Sequence, residues 1–428
     1  MHALLVTVGS SGDVFPFIAI ARALQALGHR ATVLVNPAFE SAVKEAGVAY
    51  SPLSDDVFEF SQMTQVPDAM HPRRGSLTVL REFIFPFVPE IYRRTRLAIE
   101  QGQADVVVAH HIAYGAAWAA QDAGVPVAKT LLAPFGFFNP RDPAVFDNWS
   151  LKNPSPMAMR VMLWLGRLMM RSKFDPGLNR QRAAIGLPPA RDLVFEENLR
   201  GDVLLGMWSP ALRRALEGDP QTARICGFPW HDRPTHPEHD ATHVERFLTD
   251  CERAGEPPVI FTLGTAVVHG GGEYFHHAAQ ACRLLNRRAL LVSGKPDLLP
   301  PRHSLPKGVE LATWAPYSQI FPRAAANVHH GGIGTTAQAL RAGRPTVITP
   351  VAYDQFDNAA RCERLGVSAT VHFAKARAPS LAKALRKVLD DPAVATRAAA
   401  LGNRLTHEDG AMQAATHIQA LVLKHASR

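Results

Sequence analysis

Cysteine is scarce in this sequence, and its cysteines do not pair. Four occur in 428 residues, at Cys226, Cys251, Cys282 and Cys362, and none forms a Cys-x-x-Cys motif. Such wide spacing argues against a disulfide framework and against a zinc site. We therefore expect reduced thiols, a cytoplasmic location and no bound metal.

Long apolar runs are also lacking. No stretch reaches the roughly 18 uninterrupted apolar residues that cross a bilayer. The apolar opening Met1–Val8 has no basic segment before it and no cleavage pattern after it, so it is predicted to be a β-strand and not a signal peptide.

Charge is present but not clustered. The formal net charge is +8, from 46 Lys and Arg against 38 Asp and Glu, yet the cations are scattered along the chain. Because no long basic run and no nucleic-acid motif occurs, we expect no nucleic-acid partner. The basic balance fits an anionic ligand or an anionic membrane surface, although a solvated basic surface is the favoured interpretation. A monomer or homodimer is expected.

What the sequence does contain is an alternation of apolar strands and amphipathic helices, repeated in two halves. The first half has predicted strands at Leu4–Val8, Ala31–Val35, Asp105–Ala109, Val125–Thr130 and Val203–Met207, and the second at Pro258–Gly264, Ala289–Val292, Val309–Ala312, Ala326–His329, Thr346–Thr349 and Val367–Val371. This alternation indicates parallel sheets covered by helices on both faces. The fold class predicted is α/β, with two Rossmann-like domains facing each other across a cleft.

The predicted boundaries follow a change in composition. A Pro-rich, aperiodic stretch begins at Gly227 and is typical of an interdomain linker. We predict an N-terminal acceptor-binding domain at 1–225, a linker at 226–240 and a donor-binding domain at 241–405. A last helix within 406–428 is predicted to pack back on the first domain.

A glycine-rich segment that follows an apolar strand is the most informative motif. It runs from Asn327 to Thr336 and precedes a helix predicted at Ala337–Arg341. Glycines let a ligand approach the backbone, and a helix N-terminus offers unpaired N–H groups to a diphosphate. The candidate phosphate-binding residues are His329, Gly331, Gly332, Gly334 and Thr335.

Two further segments follow strands of the same half. Asp354 and Gln355 place a carboxylate beside an amide, a pair that can hold vicinal sugar hydroxyls, although Asp354 also suits a helix N-cap. Trp314 and Ala315 come after a short strand, where the indole can stack on a nucleobase or else be buried in the core.

These residues carry a family resemblance. The block from Trp314 to Gln355 resembles the donor-binding signature of the family 1 nucleotide-sugar glycosyltransferases, which have the GT-B fold. The opening Gly9–Phe17, followed by Gly28 and His29, is similar to the bacterial branch of that family. The likeness there is to sterol glucosyltransferases and, more closely, to the rhamnosyltransferase of rhamnolipid synthesis.

The resemblance implies roles for matching positions. Trp314 would stack on the base with Ala315 beside it, the phosphate-loop residues would hold the diphosphate, and Asp354 and Gln355 would hold the sugar. Gly12 and Thr265 would lie near the donor. Asp13 stands where plant members place a catalytic histidine, so it is the expected general base. Capping of the first helix is the alternative role for Asp13.

The expected reaction is inverting transfer of a hexose, with UDP-glucose as donor and no other cofactor, to a hydroxyl of a small apolar or lipid-like acceptor. One departure bears on the donor, because Ala337 stands where plant members have a ribose-binding Glu. A dTDP-sugar, such as dTDP-rhamnose for glycolipid synthesis, is therefore the alternative donor. A UDP-sugar epimerase is the second alternative function.

The acceptor side is less marked in the sequence. His110 and His111 follow an apolar strand, and with Phe135 and Met162 they are the candidate acceptor-binding residues. Met162 lies in a segment rich in Met and Trp, at 142–175, with several arginines. This segment is predicted either to line the acceptor pocket or to be an amphipathic helix packed on its own domain. Contact with lipid headgroups, at the inner face of the membrane, is the less favoured interpretation.

Overall fold

The computed structural model describes residues 1–56, 66, 68–102, 104–147, 155–232, 241–264 and 271–427. Thr265, predicted near the donor, lies outside these ranges. The chain forms two compact units. Unit 1 comprises Met1–Glu59, Ser76–His231 and Asp409–Arg428, and unit 2 comprises Phe60–Gly75 and Asp232–Glu408. The predicted α/β class with a parallel sheet in each half is confirmed.

Unit 1 is built on a seven-stranded parallel sheet in the order β3-β2-β1-β4-β5-β6-β7. Its strands are β1 (His2–Val6), β2 (Arg30–Val35), β3 (Ala49–Pro52), β4 (Val106–His110), β5 (Val127–Leu131), β6 (Val203–Gly206) and β7 (Ala223–Ile225). The helices of this unit are α1 (Ser11–Ala26), α2 (Glu40–Glu45), α3 (Gly75–Val79, starting at the unit boundary), α4 (Val88–Gly102), α5 (Tyr114–Ala123), α6 (Pro156–Ala184), α7 (Glu196–Leu199) and, from the end of the chain, α15 (Gly410–Ala426).

Unit 2 contains a six-stranded parallel sheet in the order β10-β9-β8-β11-β12-β13. The strands are β8 (Val259–Thr262), β9 (Ala289–Val292), β10 (Val309–Ala312), β11 (Ala326–His329), β12 (Thr346–Ile348) and β13 (Ser368–Thr370). Its helices are α8 (Ala241–Arg253), α9 (Tyr274–Leu285), α10 (Tyr317–Ile320), α11 (Ile333–Arg341), α12 (Gln355–Arg364), α13 (Ala378–Leu389) and α14 (Pro392–Leu405).

Local sequence explains how the first βα unit forms. Every residue of β1 is buried, as a central parallel strand requires. Helix α1 ends where Gly28 adopts φ +80°, a left-handed conformation that glycine reaches without steric cost. The N–H of His29 then donates to the carbonyl of Leu24, and that of Gly28 to Gln25, which closes a Schellman motif. Gly28 is therefore the C′ residue of α1.

The strand order places a topological switch point in each sheet. In unit 1 it lies between β1 and β4, where Val6 pairs with Ala109. In unit 2 it lies between β8 and β11, where Phe261 pairs with Val328. Loops leaving the carboxyl ends of such strands diverge and open a ligand-binding crevice.

Two segments belong to a unit from which they are distant in the sequence. Helix α15 packs against α1 within unit 1, and the N–H of Gly410 donates to the carbonyl of Phe228. Conversely, Ala69 comes early in the chain but its carbonyl accepts a hydrogen bond of 2.6 Å from the hydroxyl of Tyr353 in unit 2. Among the described residues, no helix is both long and apolar enough to cross a membrane.

Candidate functional site

The phosphate-loop candidates lie at the switch point of unit 2. β11 ends at His329, Gly331 takes φ +92°, and α11 begins at Ile333. The helix starts earlier than the predicted Ala337, which places Gly334 and Thr335 in its first turn. The N-cap, Gly332, has no side chain to bond the first N–H groups, so they remain available at the positive end of the helix dipole.

His329 is aimed into this site in a defined protonation state. Its Nδ1 accepts a hydrogen bond of 3.0 Å from the N–H of Gly331, so the ring proton must be on Nε2. Burial lowers the pKa of His329 to about 3, which keeps the ring neutral. The Nε2 atom is buried and has no hydrogen-bond partner among the described residues. A buried donor in this state needs an acceptor, which a bound ligand can supply.

His330 also shapes the loop, although sequence reasoning assigned it no role. Its Nδ1 accepts a hydrogen bond of 3.0 Å from the N–H of Gly264, at the end of β8. A Cβ atom at Gly264 would lie 2.3 Å from the His330 ring, and one at Gly332 would lie 2.4 Å from it. Glycine at both positions therefore makes room for the imidazole. In the sequence, the adjacent pair His329-His330 was the feature that could have indicated a role for His330.

Asp354 and Gln355 are tied into the loop after β12. The Gln355 Oε1 accepts hydrogen bonds from the N–H groups of Val351 (2.8 Å) and Ala352 (3.2 Å). The amide of Asn358, a residue not predicted, donates to the Gly331 carbonyl at 2.9 Å and to Asp354 Oδ2 at 2.7 Å. The carboxylate is thus connected to the phosphate loop. Asp354 is the N-cap residue of α12, yet its side chain makes no capping bond.

Trp314 and Ala315 occupy the loop after β10 but differ in burial. Ala315 packs in the hydrophobic core with Ile320 and Phe321. Trp314 is only partly buried, which leaves part of the indole open to contact with a ligand. A residue buried wholly in the core would not have that surface.

Asp13 lies at the switch point of unit 1, in the first turn of α1. Its Oδ2 accepts hydrogen bonds from the N–H (2.7 Å) and hydroxyl (3.1 Å) of Ser10, the N-cap residue of α1. Its other oxygen, Oδ1, lies 3.5 Å from Nε2 of His110. The Asp13 side chain is 33% exposed, whereas that of His110 is 1% exposed. Asp13 therefore caps the helix and also presents a carboxylate oxygen to solvent beside a buried imidazole.

The remaining unit 1 candidates fall into separate places. His111 is half-buried beside His110, with ring centroids 4.4 Å apart, and desolvation lowers its pKa well below 6.5. Phe135 follows β5 and makes edge contacts with Phe138 and Phe146. A Cβ at Gly12 would meet only the Ser10 hydroxyl, at 3.7 Å, so space does not demand glycine there.

Met162 is half-buried on α6. The buried residues of α6 include Phe174 and Leu178, which belong to a core cluster of unit 1 that is rich in aromatic side chains. The Met and Trp residues that suggested packing on its own domain, Met157, Trp164 and Met169, are more than half exposed. The helix therefore packs on its own domain through Met159, Phe174 and Leu178, whereas these three exposed side chains do not contribute to that packing.

Comparison with known proteins places both ends of the chain in described families. Residues 3–128 match the glycosyltransferase family 28 N-terminal domain, and residues 294–421 match the erythromycin biosynthesis protein CIII-like C-terminal domain. The donor-site candidates from Trp314 to Gln355 lie within the second match.

Relatives extend the similarity to the whole length. The chain is 32% identical to O-mycaminosyltylonolide 6-deoxyallosyltransferase of Streptomyces fradiae, over 98% of this chain and 97% of that protein. It is 27% identical to sterol 3-beta-glucosyltransferase of Yarrowia lipolytica, over 97% of this chain but 28% of that protein. Its fold matches the solved glycosyltransferase VinC in complex with dTDP, with a TM-score of 0.71, 18% identity and coverage of 99% and 100%.

Proposed function

Because the chain belongs to the family 1 nucleotide-sugar glycosyltransferases of the GT-B fold, we propose that it transfers a deoxyhexose from a dTDP-sugar to a hydroxyl group of an apolar acceptor. The observation that carries the donor half is the buried Nε2–H of His329, which meets no hydrogen-bond acceptor in the described part of the chain, beside the N-terminus of α11.

The diphosphate is held by neutral donors. His329 supplies one N–H, the first turn of α11 supplies backbone N–H groups, and Thr335 adds a hydroxyl. Negative charge grows on the diphosphate as the bond to the sugar breaks, and fixed dipoles aimed at it stabilise the transition state. This arrangement lets the protein's own groups assist the leaving group.

The nucleoside is proposed to be thymidine. Ala337, where a ribose-binding carboxylate would stand, is buried and apolar, which suits a deoxyribose with no 2′-hydroxyl. The Streptomyces fradiae relative transfers a 6-deoxyallosyl group, and the matched VinC structure holds dTDP. UDP-glucose, the donor expected from the sequence, becomes the competing donor because a sterol glucosyltransferase is also related.

Asp354 is proposed to bind the sugar. Asn358 holds one carboxylate oxygen of Asp354 and also the Gly331 carbonyl, so the sugar-binding and phosphate-binding groups are positioned together. Gln355 is proposed to bind the sugar beside Asp354 through its side-chain amide nitrogen. Its side-chain oxygen already accepts hydrogen bonds from the backbone N–H groups of Val351 and Ala352.

Asp13 is proposed to take the proton from the acceptor hydroxyl as it attacks the anomeric carbon. The partly exposed carboxylate can reach a substrate, Ser10 holds one of its oxygens by two hydrogen bonds, and the buried His110 imidazole lies 3.5 Å from the other. Ile112 N–H lies 3.5 Å from Nδ1 of His110, which favours a proton on Nε2, facing Asp13. His110 is therefore a positioning residue. Attack opposite the leaving diphosphate inverts the anomeric centre.

A transfer assay tests this function. The full-length protein is incubated with dTDP-rhamnose or UDP-glucose and a panel of acceptors: a sterol, a hydroxy fatty acid and a phenol. Mass spectrometry should detect a glycoside from the dTDP-sugar, and NMR should show inverted anomeric configuration. A glycoside formed only from UDP-glucose would overturn the donor assignment. Epimerised sugar released without acceptor would support the epimerase and overturn transfer.

A further inference from the structure

Helix α6 carries a row of apolar side chains that face solvent. Six of them are between 49% and 68% exposed: Met157, Val161, Trp164, Leu165, Leu168 and Met169. Successive members are mostly three or four residues apart, so at about 100° per residue they cover one face of the helix. We call this face the α6 stripe.

The α6 stripe lies opposite the face by which the helix packs. Met159, Phe174 and Leu178 are buried, and they fall on the other side of the helical wheel. The apolar stripe therefore adds nothing to the core that the described residues form. A contiguous apolar surface of this kind on a folded chain marks an interaction site.

Cations border the α6 stripe. From Pro156 to Phe174 the helix contains Arg160, Arg167, Arg171 and Lys173 and no acidic residue. On the wheel Arg160 and Arg171 fall along one edge of the stripe and Lys173 beyond the other. Arg167 is directed towards the body of unit 1, since it forms an ion pair of 2.8 Å with Glu196.

A shallow groove of about 390 Å³ continues the stripe at its C-terminal end. Leu168 lines it together with Arg171, Ser172 and Arg191. Asp175 also lines it, but its carboxylate accepts hydrogen bonds from the N–H groups of Asp192 (2.8 Å) and Leu193 (3.0 Å). Two guanidinium groups and a hydroxyl beside an apolar surface suit a phosphodiester headgroup next to acyl chains.

We propose that α6 lies on an anionic lipid surface, with the α6 stripe among the acyl chains and the flanking cations at the headgroups. An apolar face bordered on both sides by Lys and Arg is typical of helices that lie in a membrane interface. A second copy of this chain is a poorer fit, because a symmetric antiparallel contact through the stripe would bring Arg160 of one copy towards Arg171 of the other. The net charge of +8 also favours an anionic lipid surface as the partner.

Vesicle flotation with the full-length protein tests the proposal. Vesicles of phosphatidylcholine alone are compared with vesicles of equal parts phosphatidylcholine and phosphatidylglycerol. Wild type should float with the anionic vesicles, less so at high salt. The double variant Trp164→Ser/Leu168→Ser should reduce binding at least about tenfold. Arg160→Gln/Arg171→Gln should reduce binding to anionic vesicles and remove most of its salt dependence.

Matched controls separate the stripe from apolar exposure in general. Leu284 and Leu423 are 51% and 66% exposed on other helices, and Leu284→Ser/Leu423→Ser should leave flotation unchanged. A cooperative thermal unfolding transition at the wild-type temperature would show that the α6 variants fold. Failure of wild type to float with anionic vesicles would overturn the proposal, as would equal loss in the control pair. A dimer seen by light scattering that Trp164→Ser/Leu168→Ser dissolves, without vesicle binding, would assign the stripe to a second copy instead.

Discussion

His330 and Gly264 join the two strands that flank the switch point of unit 2. The imidazole Nδ1 accepts the Gly264 N–H at 3.0 Å, and the ring fills the space where a Cβ of Gly264 would stand. Burial lowers the pKa of His330 to about 4, so the ring stays a neutral acceptor. The phosphate loop thus depends on a contact between residues 66 positions apart.

Gly264→Ala should therefore disturb donor binding. Its methyl group would lie 2.3 Å from the imidazole and must displace His330 or the loop. We expect a loss of about 1–3 kcal/mol in unfolding free energy, from overpacking, together with weaker nucleotide binding. Gly294→Ala is the matched control, since a Cβ there meets nothing within 4 Å. Equal thermal stability and nucleotide affinity in the two variants would contradict this role for His330.

Asp13→Asn should separate catalysis from folding. Asparagine keeps the shape and one acceptor oxygen for the Ser10 N–H, so thermal stability should change by less than about 1 kcal/mol. The asparagine amide cannot take the proton from the hydroxyl of the acceptor substrate. Turnover should therefore fall about 10²-fold or more while dTDP affinity stays the same. Asp391→Asn alters another helix cap and should leave turnover intact. Wild-type turnover in Asp13→Asn would refute the general-base assignment.

His110 should affect kcat and not donor binding. His110→Ala removes the group 3.5 Å from Asp13 Oδ1, so the carboxylate loses an orienting partner. A misplaced base costs about tenfold to a hundredfold in kcat. His110→Gln restores an N–H donor and should recover part of that loss, whereas a merely space-filling role would make both variants alike. Steady-state kinetics with a parallel dTDP titration would distinguish these outcomes.

Stability should fall on acidification below about pH 6.5. The folded pKa values of His329 and His330 are about 3 and about 4, below the unfolded value of 6.5, so the unfolded chain binds protons first. Their contribution is full above pH 6.5 and is lost as pH falls towards 4, at up to about 1.4 kcal/mol per pH unit for each ring. Thermal unfolding between pH 5 and pH 8 measures this pH dependence of stability. His329→Phe should reduce the slope of stability against pH. A slope unchanged in that variant would contradict the assignment.

The strands of unit 2 could be predicted closely from the sequence. β9, β10 and β11 coincide with their predicted bounds, because continuous apolar runs between turn residues specify buried parallel strands. The start of α11 was predicted too late. Gly334 and Thr335 have low helix propensity, yet in a first turn, where N–H groups have no intrahelical partner anyway, that preference matters little.

Other features of the site could be identified only from the three-dimensional structure. The partner of His330 is distant in sequence. The bond from Asn358 to Asp354 has the local i, i+4 spacing of a helix, but its bond to Gly331 joins residues 27 positions apart and has no local sign. The exposure of Trp164 was also missed, because apolar periodicity indicates which residues share a face and not whether that face meets the core. Local patterns thus located the strands and loops, whereas contacts between distant residues were set by the tertiary structure.

Calorimetric titration of the purified protein with dTDP tests the central claim most directly. Wild type should bind dTDP, and His329→Phe should weaken binding about 10- to 150-fold, since a hydrogen bond to a charged group contributes about 1.5–3 kcal/mol. His276→Phe, on the exposed surface of α9, should bind as wild type does. No affinity of wild type for dTDP or UDP, or unchanged affinity in His329→Phe, would contradict diphosphate binding at the start of α11.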